Sequence, residues 1–291
     1  MRRTMKLVWH HPGMEQKESI RFLFAGVVTG EVEDPEFTCF DDHAIHVVSV
    51  IFKPFREMET YFEQCRKSCR NLVLYHAGGD PFAEGLAIYR HFDNVVRETS
   101  TFDLTTTGIA LVPRVGRENA RVAQTNASSQ RALIWAYFGE LRSYPAPMMK
   151  QFAIVPYGKV TSTTMTPGVS RNEYSEVLGD TVFMPCGDGD AASTSRRIHD
   201  ALEAGAIPIV KTGLAPAGYL KALGSHPLPM FSTWRSGARF ANAMMDKDSS
   251  LDALQTTMLT WWGGHKRKCT GAVRSMLADS HALDLQAVSK K

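Results

Sequence analysis

The chain has 291 residues, 44% hydrophobic and 22% charged, with 33 basic and 30 acidic side chains and a formal net charge of +3. That is ordinary globular composition, enough for one large or two modest domains, and it excludes a disordered chain. The charges are interspersed, which gives no argument for nucleic acid as a partner, and nowhere do about eighteen consecutive apolar residues occur that could span a bilayer.

Five cysteines, Cys39, Cys65, Cys69, Cys186 and Cys269, are odd in number and form no CxxC pair, which fits a reducing compartment better than a disulfide scaffold. Cys65 and Cys69 read as two thiols on one helix. The N-terminus starts positive, but its apolar run stops at Trp9 and is broken by His10, His11 and Pro12, too short for a secretory leader.

In chain order, residues 19–28 (SIRFLFAGVV) and 44–52 (AIHVVSVIF) are apolar, β-branched runs that predict strands. Residues 57–70 predict a helix, with Met58, Tyr61, Phe62 and Cys65 at helical spacing, leading into a buried strand at 71–75 (NLVLY). A glycine turn follows, His76-Ala-Gly-Gly-Asp80-Pro81, leaving His76 and Asp80 at a strand's carboxyl end. A helical patch around Leu86, Ile88 and Tyr89 leads to a strand at 94–97 that runs into Glu98, and residues 109–113 predict one more. This is the βαβ grammar of a parallel sheet.

Residues 114–130 turn polar before residues 132–138 (ALIWAYF) open a second α/β alternation, so the domain boundary is placed there. Expected next are a helix at 145–151, a strand at 152–155, a Thr/Ser-rich loop at 160–171 and a helix at 172–178. A strand at 181–185, a helix at 193–205 and a strand at 206–210 complete the run. In the last helix Ile198, Ala201, Leu202 and Gly205 form an apolar stripe. Ser193, Arg197 and Asp200 share a polar strip beside it. Ser193, Thr194 and Ser195 supply N-cap hydroxyls where free amides attract an anion, an arginine one turn in can grip a pyrophosphate, and a carboxylate further up can accept from ribose hydroxyls. The plainer alternative is a capped helix whose Arg196, Arg197, Asp200 and Glu203 form ordinary surface pairs.

Across these residues the chain resembles the exostosin-like glycosyltransferases. Their donor motif reads approximately P-x-G, then S-x-R-x-x-E-A-L-x-A-G-x-I-P-V; here it is matched by Pro185-Cys186-Gly187 and by Ser195 through Ile209. The resemblance reaches upstream to 130–142 (QRALIWAYFGELR), where Arg142 is a candidate phosphate ligand. Downstream it reaches 251–266 (LDALQTTMLTWWGGHK), similar to a closing helix, so it covers roughly residues 130–270. Two departures stand out: Asp200 occupies a position usually held by glutamate, and no segment resembles the membrane anchor of the family's Golgi members. The second points to cytoplasmic synthesis, as in compact soluble or virus-encoded relatives.

The resemblance implies the GT-B architecture: two facing Rossmann-like domains, with a C-terminal helix crossing back. The expected division is 1–125 on the acceptor side, 126–265 holding the nucleotide sugar, and a helical tail at 266–291. It implies an inverting, metal-independent transferase that moves a sugar from a UDP-sugar to a glycan hydroxyl on an oligosaccharide or glycoprotein. UDP-xylose is the first donor it suggests, because compact soluble relatives look like pentose transferases, and a GDP-sugar is the alternative. No cofactor, nucleic acid or membrane span is expected, and Asp188-Gly189-Asp190 reads as a polar turn and not a metal motif. Asp80 is the expected general base, with His76, Glu98 and the Asp41-Asp42-His43 cluster as competitors. His76 is expected to orient its loop, Trp234 is a candidate to close over the donor, and Trp261 and Trp262 are expected to pack the last helix. The reading from another class is a non-catalytic nucleotide- or carbohydrate-binding module. A dinucleotide-dependent oxidoreductase is disfavoured because no strand near the N-terminus opens into GxGxxG.

Overall fold

A computed structural model describes residues 5–10, 17, 21–24, 27–41, 44–49, 55–68, 72–77, 88–97, 109–111, 125–139, 146–162, 170–186, 194–212 and 223–288. The chain divides into two compact units: Met1–Pro113 together with Arg267–Lys291, and Arg114–Lys266.

The first unit is built on a six-stranded parallel sheet of β1 (Met5–Trp9), β2 (Val28–Glu33), β3 (Ala44–Ser49), β4 (Val73–Ala77), β5 (Asn94–Arg97) and β6 (Ile109–Leu111). Its spatial order is β2-β1-β3-β4-β5-β6, so the winding reverses between β1 and β3. Alternation along the strands divides their side chains between two faces. On one, Met5, Leu7, Trp9, Ile45, Val47, Val73, Tyr75 and Val96 pack with Leu23 and Phe24 and with Cys269, Val273 and Leu277 from near the C-terminus. On the other, Val48, Leu74 and Val95 pack with Met58, Tyr61, Phe62 and Cys65 of α1 (Phe55–Ser68), whose spacing predicted that stripe.

The second unit is a five-stranded parallel sheet of β7 (Leu133–Gly139), β8 (Gly158–Ser162), β9 (Thr181–Cys186), β10 (Ile207–Lys211) and β11 (Met230–Phe231), in the order β11-β10-β9-β7-β8. Every residue of β9 is buried, as expected of a central parallel strand with both faces covered. The connecting helices are α2 (Ala146–Phe152), α3 (Arg171–Gly179), α4 (Thr194–Glu203) and α5 (Trp234–Met244), followed by the long α6 (Asp248–Val288). The stripe predicted on α4 faces inward, with Ile198, Ala201 and Leu202 all buried where the helix packs on β9 and β10.

Three sequence expectations give way here. Within the apolar run at 19–28, residues Phe22–Phe24 form a 3-10 turn that drops Leu23 and Phe24 into the core, and the strand begins only at Val28, with the half-exposed alternation of a sheet edge. The strand expected at 152–155 lies instead at Gly158–Ser162. The helix runs on to Phe152 and buries Val155 in a turn, and Trp135's indole lies so close to Gly158 that a Cβ there would stand 2.2 Å from it. Met5–Trp9, read above only as a failed leader, is a buried strand. Among the described residues no helix is long and apolar enough to cross a membrane.

Candidate active site

In the second unit β7 is flanked by β8 on one side and β9 on the other, so the chain winds away in opposite directions from the gap between β7 and β9. Open α/β sheets bind ligands at such a switch point, outside the carboxyl ends of the strands. Phe138 stands at that end of β7 and Cys186 at that end of β9, and α4 is the next described element.

Arg197 lies in the first turn of α4, half-buried. Its Nε donates to the Phe138 carbonyl at 3.2 Å, and its guanidinium lies 5.1 Å from the Tyr137 ring centroid. Burial pushes the Cys186 thiol well above its ordinary range while the positive charge of Arg197 pulls it down and Asp200 pushes it up, which places both charges beside the end of β9. One turn further along, Asp200 is 1% exposed, and its Oδ2 accepts from the Tyr174 hydroxyl of α3 at 2.7 Å. The Tyr174 ring meets Phe138 edge-on at 4.9 Å. Phe138 thus serves twice, holding Arg197 with its carbonyl and Tyr174 with its ring.

At Asp200 and Glu203 the surface-pair alternative for α4 gives way. Asp200 is buried, and Glu203 accepts from Trp262 Nε1 at 2.9 Å and from Lys266 Nζ at 2.9 and 3.0 Å, which ties α4 to α6. His199, also buried, stacks on Trp262 with centroids 5.4 Å apart. Trp234, the candidate to close over the donor, is 7% exposed and packs in the core with Trp135 and Phe152, behind a Thr233 cap that starts α5.

The helix expected at 193–205 begins at Thr194; Ser193, Arg142, Asp80, Glu98 and residues 188–190 lie outside the described residues, as do the side chains of Thr194 and Ser195. His76 is described. It is 1% exposed at the end of β4, with Nδ1 bonded to the Tyr89 hydroxyl, and burial and then the charge of Arg97 lower its pKa to about 3. Arg97 is its register partner on β5 and is fully buried.

At the first unit's own switch point, after β1, His10 packs between His46 and Phe37. Its Nδ1 faces the Asp34 carbonyl at 2.9 Å and its Nε2 faces His46 Nδ1 at 2.9 Å. The Asp34 carboxylate accepts from the Thr38 and Cys39 amides and the Thr38 hydroxyl. Burial works against its charge, but those bonds outweigh it and hold its pKa below the usual range. Sequence reading missed His10, His46, Asp34, Arg97 and Tyr174. The only local signal was a polar residue at or near the end of an apolar strand, as in LVWH and NVVR.

Arg131, inside the upstream stretch of the resemblance, is a clamp at the opposite, amino-terminal edge of the second sheet. It donates to the carbonyls of Thr181 at 2.6 Å, Ala204 at 3.0 Å and Asn126 at 3.2 Å, and burial brings its pKa down to about 10.

No protein-family model and no curated protein matches the chain. Solved structures do. An alpha-glucosyltransferase in complex with UDP and a 13-mer DNA aligns with a TM-score of 0.60 at 9% identity, covering 95% of this chain and 100% of that one. HepE from Anabaena, in complex with UDP and glucose, aligns with a TM-score of 0.56 at 9% identity and the same coverages. T4 phage BGT in complex with UDP and Mn2+ aligns with a TM-score of 0.52 at 12% identity, covering 94% of this chain and 99% of that one. The fold is therefore that of the GT-B glycosyltransferases, with two parallel-sheet α/β units.

Proposed function

We propose that this chain is a glycosyltransferase that takes a sugar from a UDP-sugar and joins it to a glycan hydroxyl. The observation that carries this reading is the anchoring of Arg197 at the β7/β9 switch point, at the start of a helix whose amides favour an anion, in a fold whose neighbours hold UDP. Arg197 and the start of α4, with Ser193, Thr194, Ser195 and Arg142, take the diphosphate. Asp200, braced by Tyr174, takes the ribose.

The reaction we infer is inverting. The acceptor oxygen bonds to the anomeric carbon as the bond from that carbon to the diphosphate breaks, and Asp80 removes the acceptor proton. Helix amides and arginines stabilise the departing charge, the task a divalent cation performs elsewhere, so the reading is metal-independent. UDP-xylose is the first donor to test. Residues 1–125 are assigned to the acceptor, 126–265 to the donor and 266–291 to a helical tail that crosses back, a course supported by Cys269, Val273 and Leu277 in the first unit's core. Synthesis in the cytoplasm and an acceptor that is not nucleic acid complete the proposal.

Calorimetric titration with UDP and GDP, followed by a UDP-release assay over a panel of UDP-sugars, tests it. UDP should bind and GDP should not, and Arg197→Ala should weaken UDP about tenfold or more, the loss of a charge-assisted bond worth roughly 1.5–3 kcal/mol. Turnover should survive EDTA and gain nothing from Mn2+. UDP binding without turnover on any acceptor would support the binding-module alternative, and unchanged affinity in Arg197→Ala would remove the site.

A further inference from the structure

The Tyr174–Asp200 hydrogen bond ties α3 to α4. Asp200 is 1% exposed, and a carboxylate so buried is tolerated only where hydrogen-bond donors meet it. Tyr174 supplies one, at 2.7 Å, from a different helix and 26 positions earlier in the chain. The phenol is itself braced: its ring lies edge-on against Phe138, whose carbonyl also fixes Arg197.

Tyr174 therefore sets the direction of the carboxylate relative to the arginine. Asp200 sits three residues beyond Arg197, roughly 4.5 Å further along the helix axis. A diphosphate at the start of α4 would thus bring the attached ribose level with Asp200. A ribose offers a vicinal diol, two donors that can reach one carboxylate, whereas a 2′-deoxyribose offers only one.

Resting on the UDP-sugar reading above, we propose that Tyr174 is a positioning residue: it aims the Asp200 carboxylate at the ribose 2′-hydroxyl and makes the site selective for ribonucleoside over 2′-deoxyribonucleoside diphosphates. Tyr174 touches no reacting atom. It acts by fixing the acceptor oxygens that read the sugar of the nucleotide, so deleting its hydroxyl lowers selectivity and leaves diphosphate binding in place.

The test is calorimetric titration of the full chain with UDP and with 2′-deoxy-UDP, in the parent, Tyr174→Phe, Asp200→Asn and the double variant. Tyr174→Phe should lower UDP affinity about tenfold and 2′-deoxy-UDP affinity by less than about twofold, so that the ratio between them falls. The double variant should match Asp200→Asn for both nucleotides, because Tyr174 works only through that carboxylate. Both nucleotides are measured on the same folded protein, so a loss of stability alone moves them together. Equal loss of both in Tyr174→Phe, or no change in either, overturns the positioning role while leaving the donor site intact. A parent chain that binds neither nucleotide overturns the donor reading and this inference with it.

Discussion

His10 and His46 are buried side by side in the first unit. His10 Nδ1 faces a carbonyl oxygen, which can only accept, so that nitrogen carries a proton, and the Asp34 carboxylate lies 3.7 Å from it. His10 Nε2 and His46 Nδ1 stand 2.9 Å apart and share one hydrogen, and His46 Nε2 is buried without a hydrogen-bond partner. His46 is fully buried, and burial, followed by the neighbouring His10, lowers its pKa to about 3, as burial and Arg97 do for His76. Unfolded, both would titrate near 6.5. As pH falls below that value the unfolded chain takes up protons that the folded one refuses, so stability is lost from about pH 6.5 down towards 3 and is not affected above it. Each histidine should add a slope of about 1.4 kcal/mol per pH unit between pH 6 and 4.5. Urea unfolding across that range should give this dependence, and His46→Asn, which keeps a hydrogen-bonding group beside His10, should reduce the slope by one proton's worth. An unchanged slope in that variant would mean that His46 is charged in the fold.

At the scale of elements, α4 ends in a defined closure. The Gly205 amide bonds to the Leu202 carbonyl and the Ala206 amide to the Ala201 carbonyl, the paired closure of a Schellman motif, with Gly205 at φ +69°. A Cβ at Gly205 would stand 2.4 Å from Thr125 Cγ2 and 3.0 Å from the Arg131 guanidinium. Gly224 has nearly the same backbone, φ +64°, with nothing near its missing side chain. Gly224→Ala should therefore cost only the conformational strain, about 1 kcal/mol, and Gly205→Ala on the order of 3 kcal/mol, because crowding adds to it. Urea midpoints of the two variants check the difference, and equal midpoints would mean that Thr125 and Arg131 yield freely. The run from β9 through α4 to β10 was legible in the sequence because central parallel strands are continuous apolar runs and the helix between them keeps a clear stripe. β8 was not, since GKVTS on a sheet edge buries too little to show a period, and its place is decided by Trp135 lying over Gly158. Arg197 could be read from its place on a helix start, but Tyr174 could not. Nothing in NEYSEV marks it, and it reaches Asp200 only because the sheet order brings β7 and β9 together.

At the scale of the whole molecule, the first unit draws its residues from both ends of the chain. Its sheet is made within the first 113 positions, but one face of that sheet is covered by Cys269, Val273 and Leu277, with Met276 packed at the margin. These side chains cover Met5, Leu7, Trp9 and their neighbours in the same cluster. Full burial of an aliphatic side chain is worth roughly 1.5–3 kcal/mol, so the group contributes several kcal/mol, a large share of the 5–15 kcal/mol that stabilises a typical domain. The second unit, Arg114–Lys266, has a core of its own: the last residues of its cluster are the buried Leu251 and the half-buried Leu254, and the Glu203 contacts end at Lys266. A chain ending at Lys266 should therefore lose amide-exchange protection in β1, β3 and β4 while keeping it in β7, β9 and β10, and its UDP affinity should equal that of the full chain. The milder Leu277→Ala should lower the stability of the first unit by about 2–5 kcal/mol and leave protection in the second unchanged. Retained protection in β1 and β3 after truncation would mean that the sheet holds without its helical cover, and loss of protection in β9 would mean that the two cores do not fold as separate units.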